Sequence, residues 1–231
     1  MTANKGWCLL RHAPTEGPFG RFVGRSDRAI LPPAADDATA LIEQIGAIDV
    51  AVVTPARRSR ETLAWLEAAG LQVPLRRTER DLLEQDFGRW EEQAYDRLAQ
   101  GDPAYWPFWD DPVRRVPPGG ESFQQVFDRA VAAFERLDRA LAGARVLHVG
   151  HAGPIRALLT WAEHGTADAA LRLTVAHLSP VSLRHPDPGE SDRPALAVSS
   201  SGMIGSPPQP GRGTELAAAP PPATAAGSGT T

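Results

Sequence analysis

The chain of 231 residues holds one cysteine, Cys8, so no disulfide can form within it. A single thiol suits a reducing compartment. Long apolar runs are lacking too: nothing approaches the ~18 consecutive apolar residues of a membrane span. The opening segment, Met1–Leu10, carries one lysine and an apolar run of only Trp7–Leu10, short for a signal-peptide core. Excess positive charge is also missing. Lys and Arg total 24 against 28 Asp and Glu, a formal net charge of -4. A general nucleic-acid binder would carry a basic stripe. The expectation is a cytoplasmic protein with no nucleic-acid and no membrane partner.

What is present is enough apolar material, 42%, for a sizeable core. Short apolar runs read as strands: Trp7–Leu10, Val50–Val53 and Val146–Val149. Helical segments lie between them. Phe123, Val126, Phe127, Ala130, Phe134, Leu137 and Leu141 recur at steps of three and four, one apolar stripe, with Gly143 as its stop. Thr54-Pro55 reads as a helix start, with Thr54 as N-cap. Gly150 to Pro154 reads as a similar turn into a helix. Leu178–Leu183 and Ala195–Ser199 read as late strands near an edge, joined by a proline-rich loop. Strands alternating with helices predict an α/β fold. From Ser206 onward prolines sit among Gly, Ala, Ser and Thr, a composition that predicts disorder.

Three strand exits carry unusual polar residues: Arg11-His12, Thr54-Pro55-Ala56-Arg57-Arg58, and Gly150-His151. In an open α/β sheet, ligands bind beyond the carboxyl ends of the strands. If the three strands are parallel neighbours, the exits converge on one pocket. Guanidinium forks match phosphate oxygens, and helix N-termini add N–H donors. One Arg-His pair after a strand is ordinarily a surface turn; three exits of matching chemistry favour a shared anion site. His148, inside a strand, reads as a structural histidine. His164, His177 and His185 read as decoration of helix ends and loops. No ligand set for a metal accompanies His148 and His151. Cys8 reads as inert packing.

Here a resemblance becomes specific. Leu9-Leu10-Arg11-His12-Ala13-Pro14-Thr15 resembles the Arg-His signature of the histidine phosphatase superfamily, the phosphoglycerate-mutase-like group. Thr54 to Thr62 is similar to its second-arginine motif, which maps the phosphate-binding arginine to Arg58. Leu83-Glu84-Gln85-Asp86-Phe87-Gly88-Arg89-Trp90-Glu91 resembles its acid-donor segment, with Glu84 in the donor place. Pro118 to Ser122 resembles the turn opening its later long helix. Val149-Gly150-His151-Ala152-Gly153-Pro154-Ile155-Arg156 resembles its second-histidine motif. The matches run in family order from about residue 7 to 160.

The resemblance implies a three-layer α/β/α sandwich with a mostly parallel central sheet, filling residues 1–205, with a cap-like insert at about 90–120. Residues 206–231 form the disordered tail. It implies a phosphatase with His12 as nucleophile, Glu84 as proton donor and His151, Arg11 and Arg58 on the phosphate. No cofactor and no metal are implied. The partner is a small phosphorylated metabolite, with a homodimer as a compatible assembly. The motifs look most like α-ribazole phosphatases. A protein phosphohistidine phosphatase and a non-catalytic phosphate-binding module are the alternatives.

The chain departs from the commonest pattern after the nucleophile. Many members have Gly-Glu-Thr where this chain has Ala13-Pro14-Thr15, and a phosphate-contacting asparagine where it has Pro18. Arg21, Arg25 or backbone N–H groups near Gly24 are candidates to substitute. Arg57 and Arg60 divide between an electropositive rim and a solvated helix face. The aromatic segment Tyr95, Tyr105, Trp106, Phe108, Trp109 lies in the insert. Packing of the cap is the favoured reading there; Trp106 and Trp109 as a platform for a flat substrate group is the other.

Overall fold

The structure, a computed structural model, describes residues 6–31, 33–184 and 195–197. The tail 206–231, His185 and the proline-rich loop before Ala195 lie outside them. Its strands are β1 (Gly6–Arg11), β2 (Val50–Val53), β3 (Leu75–Thr78), β4 (Arg145–Gly150), β5 (Pro180–Arg184) and β6 (Ala195–Ala197). The helices are α1 (Ala35–Ile45), α2 (Arg57–Ala68), α3 (Tyr95–Gly101), α4 (Tyr105–Asp110), α5 (Phe123–Ala140), α6 (Ala152–Ala162) and α7 (Ala167–Ala170). The sheet order is β3-β2-β4-β1-β5-β6. Its first three pairings are parallel and its last two antiparallel. The α/β/α sandwich with a mostly parallel sheet is the architecture observed.

Alternation along the strands sorts the core into two layers. Leu9, Val50, Val52 and Val146 face Phe134, Leu137, Ile155 and Leu158 of α5 and α6. Leu10, Ala51, Val53, Leu147 and Val149 face Leu41, Leu63 and Leu66 of α1 and α2. Successive strand residues point to opposite faces, so strands covered on both faces read as continuous apolar runs. Helix α5 starts with a capping box: Ser122 Oγ accepts from Gln125 N–H, and the Gln125 side chain accepts from Ser122 N–H. Gly143 follows the helix at φ 86°, in the left-handed region where glycine is the least strained residue. Among the described residues no helix is long and apolar enough to cross a membrane.

Two boundaries and one strand differ from the sequence reading. Helix α2 begins at Arg57 with Ala56 at the N-cap, so Thr54 is not its cap. The Thr54 hydroxyl is committed elsewhere, to a histidine described below. The Leu178 strand starts at Pro180, because Leu178 turns the chain at φ 55°. Strand β3 was not expected: Leu75–Thr78 is exposed along its whole length and lacks the apolar run that marks the inner strands.

The insert packs around Phe22, from the loop after β1. Phe22, Trp90, Leu98, Tyr105 and Phe108 form a separate buried cluster, with Phe87, Tyr95 and Trp109 against it. Phe22 sits at its centre, with ring centroids 4.7 Å from Phe87 and Tyr95.

Candidate active site

The register puts Arg11 beside Gly150, and His12 N–H donates to Gly150 O at 3.0 Å. His12 and His151 therefore leave adjacent parallel strands side by side, with ring centroids 5.3 Å apart. Helix α2 stitches the exits together through two hydroxyls. Ser59 Oγ donates to Val149 O at 2.6 Å and accepts from Thr54 N–H at 2.9 Å. Thr62 Oγ accepts from Ala13 N–H at 2.9 Å. These bonds join β1, β2 and β4 at their carboxyl ends, where the sequence reading placed the pocket.

The chemistry of each side chain follows from its partners. His12 is 6% exposed and its Nδ1 lies 2.7 Å from Ala13 O. A carbonyl only accepts, so Nδ1 carries the proton and Nε2 keeps its lone pair. Burial, then the charge of Arg58, holds the His12 pKa well below 6.5, so the ring is neutral near pH 7. His151 is fully buried and its Nε2 lies 2.8 Å from Thr54 Oγ. If the hydroxyl donates there, Nδ1 carries the proton, and that atom has no partner among the described residues. Burial, followed by Arg58, lowers its pKa as well.

Arg58 is 1% exposed and donates to Ser26 O and Gly24 O, both at 2.6 Å. Arg11 donates to Val175 O at 2.7 Å, and burial lowers its pKa to about 10. Both stay charged near neutrality. The Nε atoms of Arg11 and Arg58 are buried without a partner. With the Thr54 hydroxyl donating to His151 Nε2, His151 Nδ1 joins them as an unpaired donor near His12, the donor set an anion needs.

Glu84 closes the site from the other side. Its carboxylate accepts from Gly153 N–H at 3.1 Å, at the N-terminus of α6, and from Gln85 N–H at 2.9 Å. A Cβ at 153 would lie 2.2 Å from Glu84 Oε1, so a larger residue there would displace the carboxylate from the Gly153 N–H. A cavity of about 260 Å³ opens beside it, lined by Arg11, Arg21, Glu84, Trp109 and Arg156 among others. Arg21 and Trp109 thus reach the cavity, although Arg21 also donates to Glu92 O.

Some expected rim residues are placed otherwise. Arg25 is held in an ion pair with Glu121 at 3.0 Å. The N–H groups of Gly24, Arg25 and Ser26 all donate to the Glu91 carboxylate, at 3.1, 2.8 and 3.1 Å. They do not stand free to replace the contact missing at Pro18. Trp106 is 56% exposed, donates to Ala99 O and does not line the cavity. Arg57 pairs with Glu61 at the surface and Arg60 is exposed.

The sequence reading missed three residues. His177 is more than loop decoration: its ring centroid is 5.1 Å from that of His12 and its Nδ1 is 2.7 Å from His12 O. Glu91, given no role of its own from the sequence, anchors the loop whose carbonyls hold Arg58. Arg156, to which the motif resemblance assigns no role, lines the cavity. Only the aromatic neighbourhood of Glu91 and the placement of Arg156 one turn after Gly153 offered a signal.

Comparison with known proteins places this geometry. Residues 7–192 match the profile of the histidine phosphatase superfamily (branch 1). The bifunctional protein Rv2228c of Mycobacterium tuberculosis is 32% identical over 180 residues, covering 76% of this chain and 48% of that protein. The chain thus spans about half the length of that relative. A metal-independent phosphoserine phosphatase of Arabidopsis thaliana is 29% identical over 181 residues, covering 76% and 75%. Among solved structures, the α-ribazole phosphatase of Shigella flexneri superposes with a TM-score of 0.72 at 21% identity, covering 84% of this chain and 95% of that one.

Proposed function

The chain belongs to the histidine phosphatase superfamily, and on that footing we propose that it hydrolyses a phosphate monoester of a small metabolite through a phosphohistidine on His12. The observation that carries this is the His12 ring: neutral, fixed as the Nδ1–H tautomer, and set among Arg11, Arg58 and His151. A neutral imidazole is a nucleophile; an imidazolium is not.

The steps balance as follows. His12 Nε2 attacks phosphorus in line while the bond to the ester oxygen breaks. Arg11, Arg58 and His151 Nδ1–H hold the equatorial oxygens, where charge spreads in the transition state. Glu84 gives its proton to the leaving oxygen. Water then attacks the phosphohistidine, Glu84 takes up the proton, and phosphate departs with His12 neutral again. Fixed cations carry the negative charge, so the scheme asks for no metal.

A small substrate is favoured over a phosphorylated protein because the cavity beside Glu84 is walled by the insert, through Tyr95 and Trp109, with Phe22 and Phe87 beside them. The motif resemblance keeps α-ribazole 5'-phosphate as a candidate, and Trp109 and Tyr95 offer its flat base an apolar wall. The test is hydrolysis of an aryl phosphate by the full chain in the presence of a chelator. Turnover that persists supports the reading. A folded protein that binds vanadate but never turns over would favour a binding module.

A further inference from the structure

Most arginines around the site are engaged. Arg11 bonds Val175 O, Arg21 bonds Glu92 O, Arg25 pairs with Glu121, and Arg58 bonds Gly24 O and Ser26 O. Arg156 differs. It lines the cavity, its Nε is buried without a partner, and among the described residues no carboxylate lies within ion-pair distance of it, Glu84 acting on it only through space. A guanidinium stays charged, and a charge held in a cavity wall without a hydrogen-bonded partner is unfavourable. Such a group in a cavity wall is suited to an anion that arrives with the ligand.

Helix α6 acts as a ruler. His151 is its N-cap and faces the phosphate site. Gly153 holds the Glu84 carboxylate, which faces the leaving oxygen. Arg156 is three residues further on, on the same face, about 4.5 Å along the axis. An ester bound with its phosphorus at His12 and its bridging oxygen at Glu84 would send its next few atoms toward Arg156.

Resting on the hydrolase reading, we infer that Arg156 binds a carboxylate of the substrate, so that the preferred substrate class is the phosphate monoester of a small hydroxy acid. A carboxylate matches one guanidinium fork. A second phosphate dianion would need more donors than a single guanidinium fork offers. The cavity of about 260 Å³ suits a short acid chain. α-Ribazole 5'-phosphate, which has no carboxylate, drops behind this class.

Two esters that differ only at this group decide it. 3-Phospho-D-glycerate carries a carboxylate where sn-glycerol 1-phosphate, of the same configuration at the central carbon, carries a hydroxymethyl group. The full-chain protein should prefer the first in kcat/KM by about tenfold or more, the worth of one charge-assisted hydrogen bond. Arg156→Gln should collapse that ratio toward one, and Arg156→Lys should restore part of it. A wild-type ratio near one, or a ratio unmoved in Arg156→Gln, overturns the inference while aryl phosphate turnover leaves the hydrolase reading standing. If the wild type cleaves no ester, aryl phosphate included, the hydrolase reading fails and this inference with it.

Discussion

The His177 ring stands edge-on to the ring of His12, centroids 5.1 Å apart, and its Nδ1 lies 2.7 Å from the His12 carbonyl oxygen. The same segment holds Arg11 twice, through Val175 O and through Leu178 N–H, which donates to Arg11 O at 3.0 Å. The loop before β5 therefore clamps the Arg11-His12 pair from outside the three strand exits. His177 acts through His12 and is a positioning residue. His177→Ala should lower kcat roughly tenfold, the worth of one hydrogen bond, with KM little changed. His177→Asn keeps an N–H donor and should recover most of the loss. Steady-state kinetics on an aryl phosphate check this; equal changes in kcat and KM, or no rescue by asparagine, would contradict it.

Glu91 supports Arg58 at one remove. Its carboxylate gathers the N–H groups of Gly24, Arg25 and Ser26, and the Gly24 and Ser26 carbonyls then hold Arg58. Glu91→Ala strands these donors, at about 1–3 kcal/mol for a buried group left unpaired. It should lower Tm and weaken vanadate binding together. A lower Tm with unchanged vanadate affinity would show that Arg58 does not depend on the loop.

These two residues mark where the sequence stops being legible. Strand exits can be read because a polar pair after an apolar run stands out, and parallel pairing brings such pairs together. The α5 stripe and the β1, β2 and β4 runs were legible for the same reason of pattern. His177 follows no strand and sits in no helical phase; it reaches His12 across 165 positions because β5 pairs antiparallel with β1. Glu91 meets its loop from more than sixty residues away. Thr54 misled because Thr-Pro is a strong helix-start signal, whereas its hydroxyl serves His151.

Acid should destabilise the fold. His148 and His177 are pulled down to about 4, chiefly by burial, and His12 and His151 lie well below 6.5 for the same first cause. All four are neutral in the fold, and each takes up a proton near pH 6.5 when unfolded. Their contribution is fully present above about pH 6.5 and is lost as pH falls toward about 4. For fully buried His148 the share is up to about 3 kcal/mol. Calorimetry should show Tm falling between about pH 7 and pH 5, with a shallower fall in His148→Gln. A flat Tm across that range would contradict it.

Glu84→Gln keeps an acceptor for Gly153 N–H but has no proton to give. Alkyl phosphates should lose about a hundredfold or more in kcat, within the range for a general acid. Aryl phosphates with good leaving groups should lose far less. Equal losses on both would remove Glu84 from the proton transfer.

The stereochemical course at phosphorus tests the role of His12 most directly. Two in-line displacements, first by His12 and then by water, retain configuration, whereas direct attack by water inverts it. A substrate with a chiral, isotopically labelled phosphoryl group, transferred to an acceptor alcohol, should give a product of retained configuration. Inversion would contradict the phosphohistidine and leave His12 as a ligand to the phosphate.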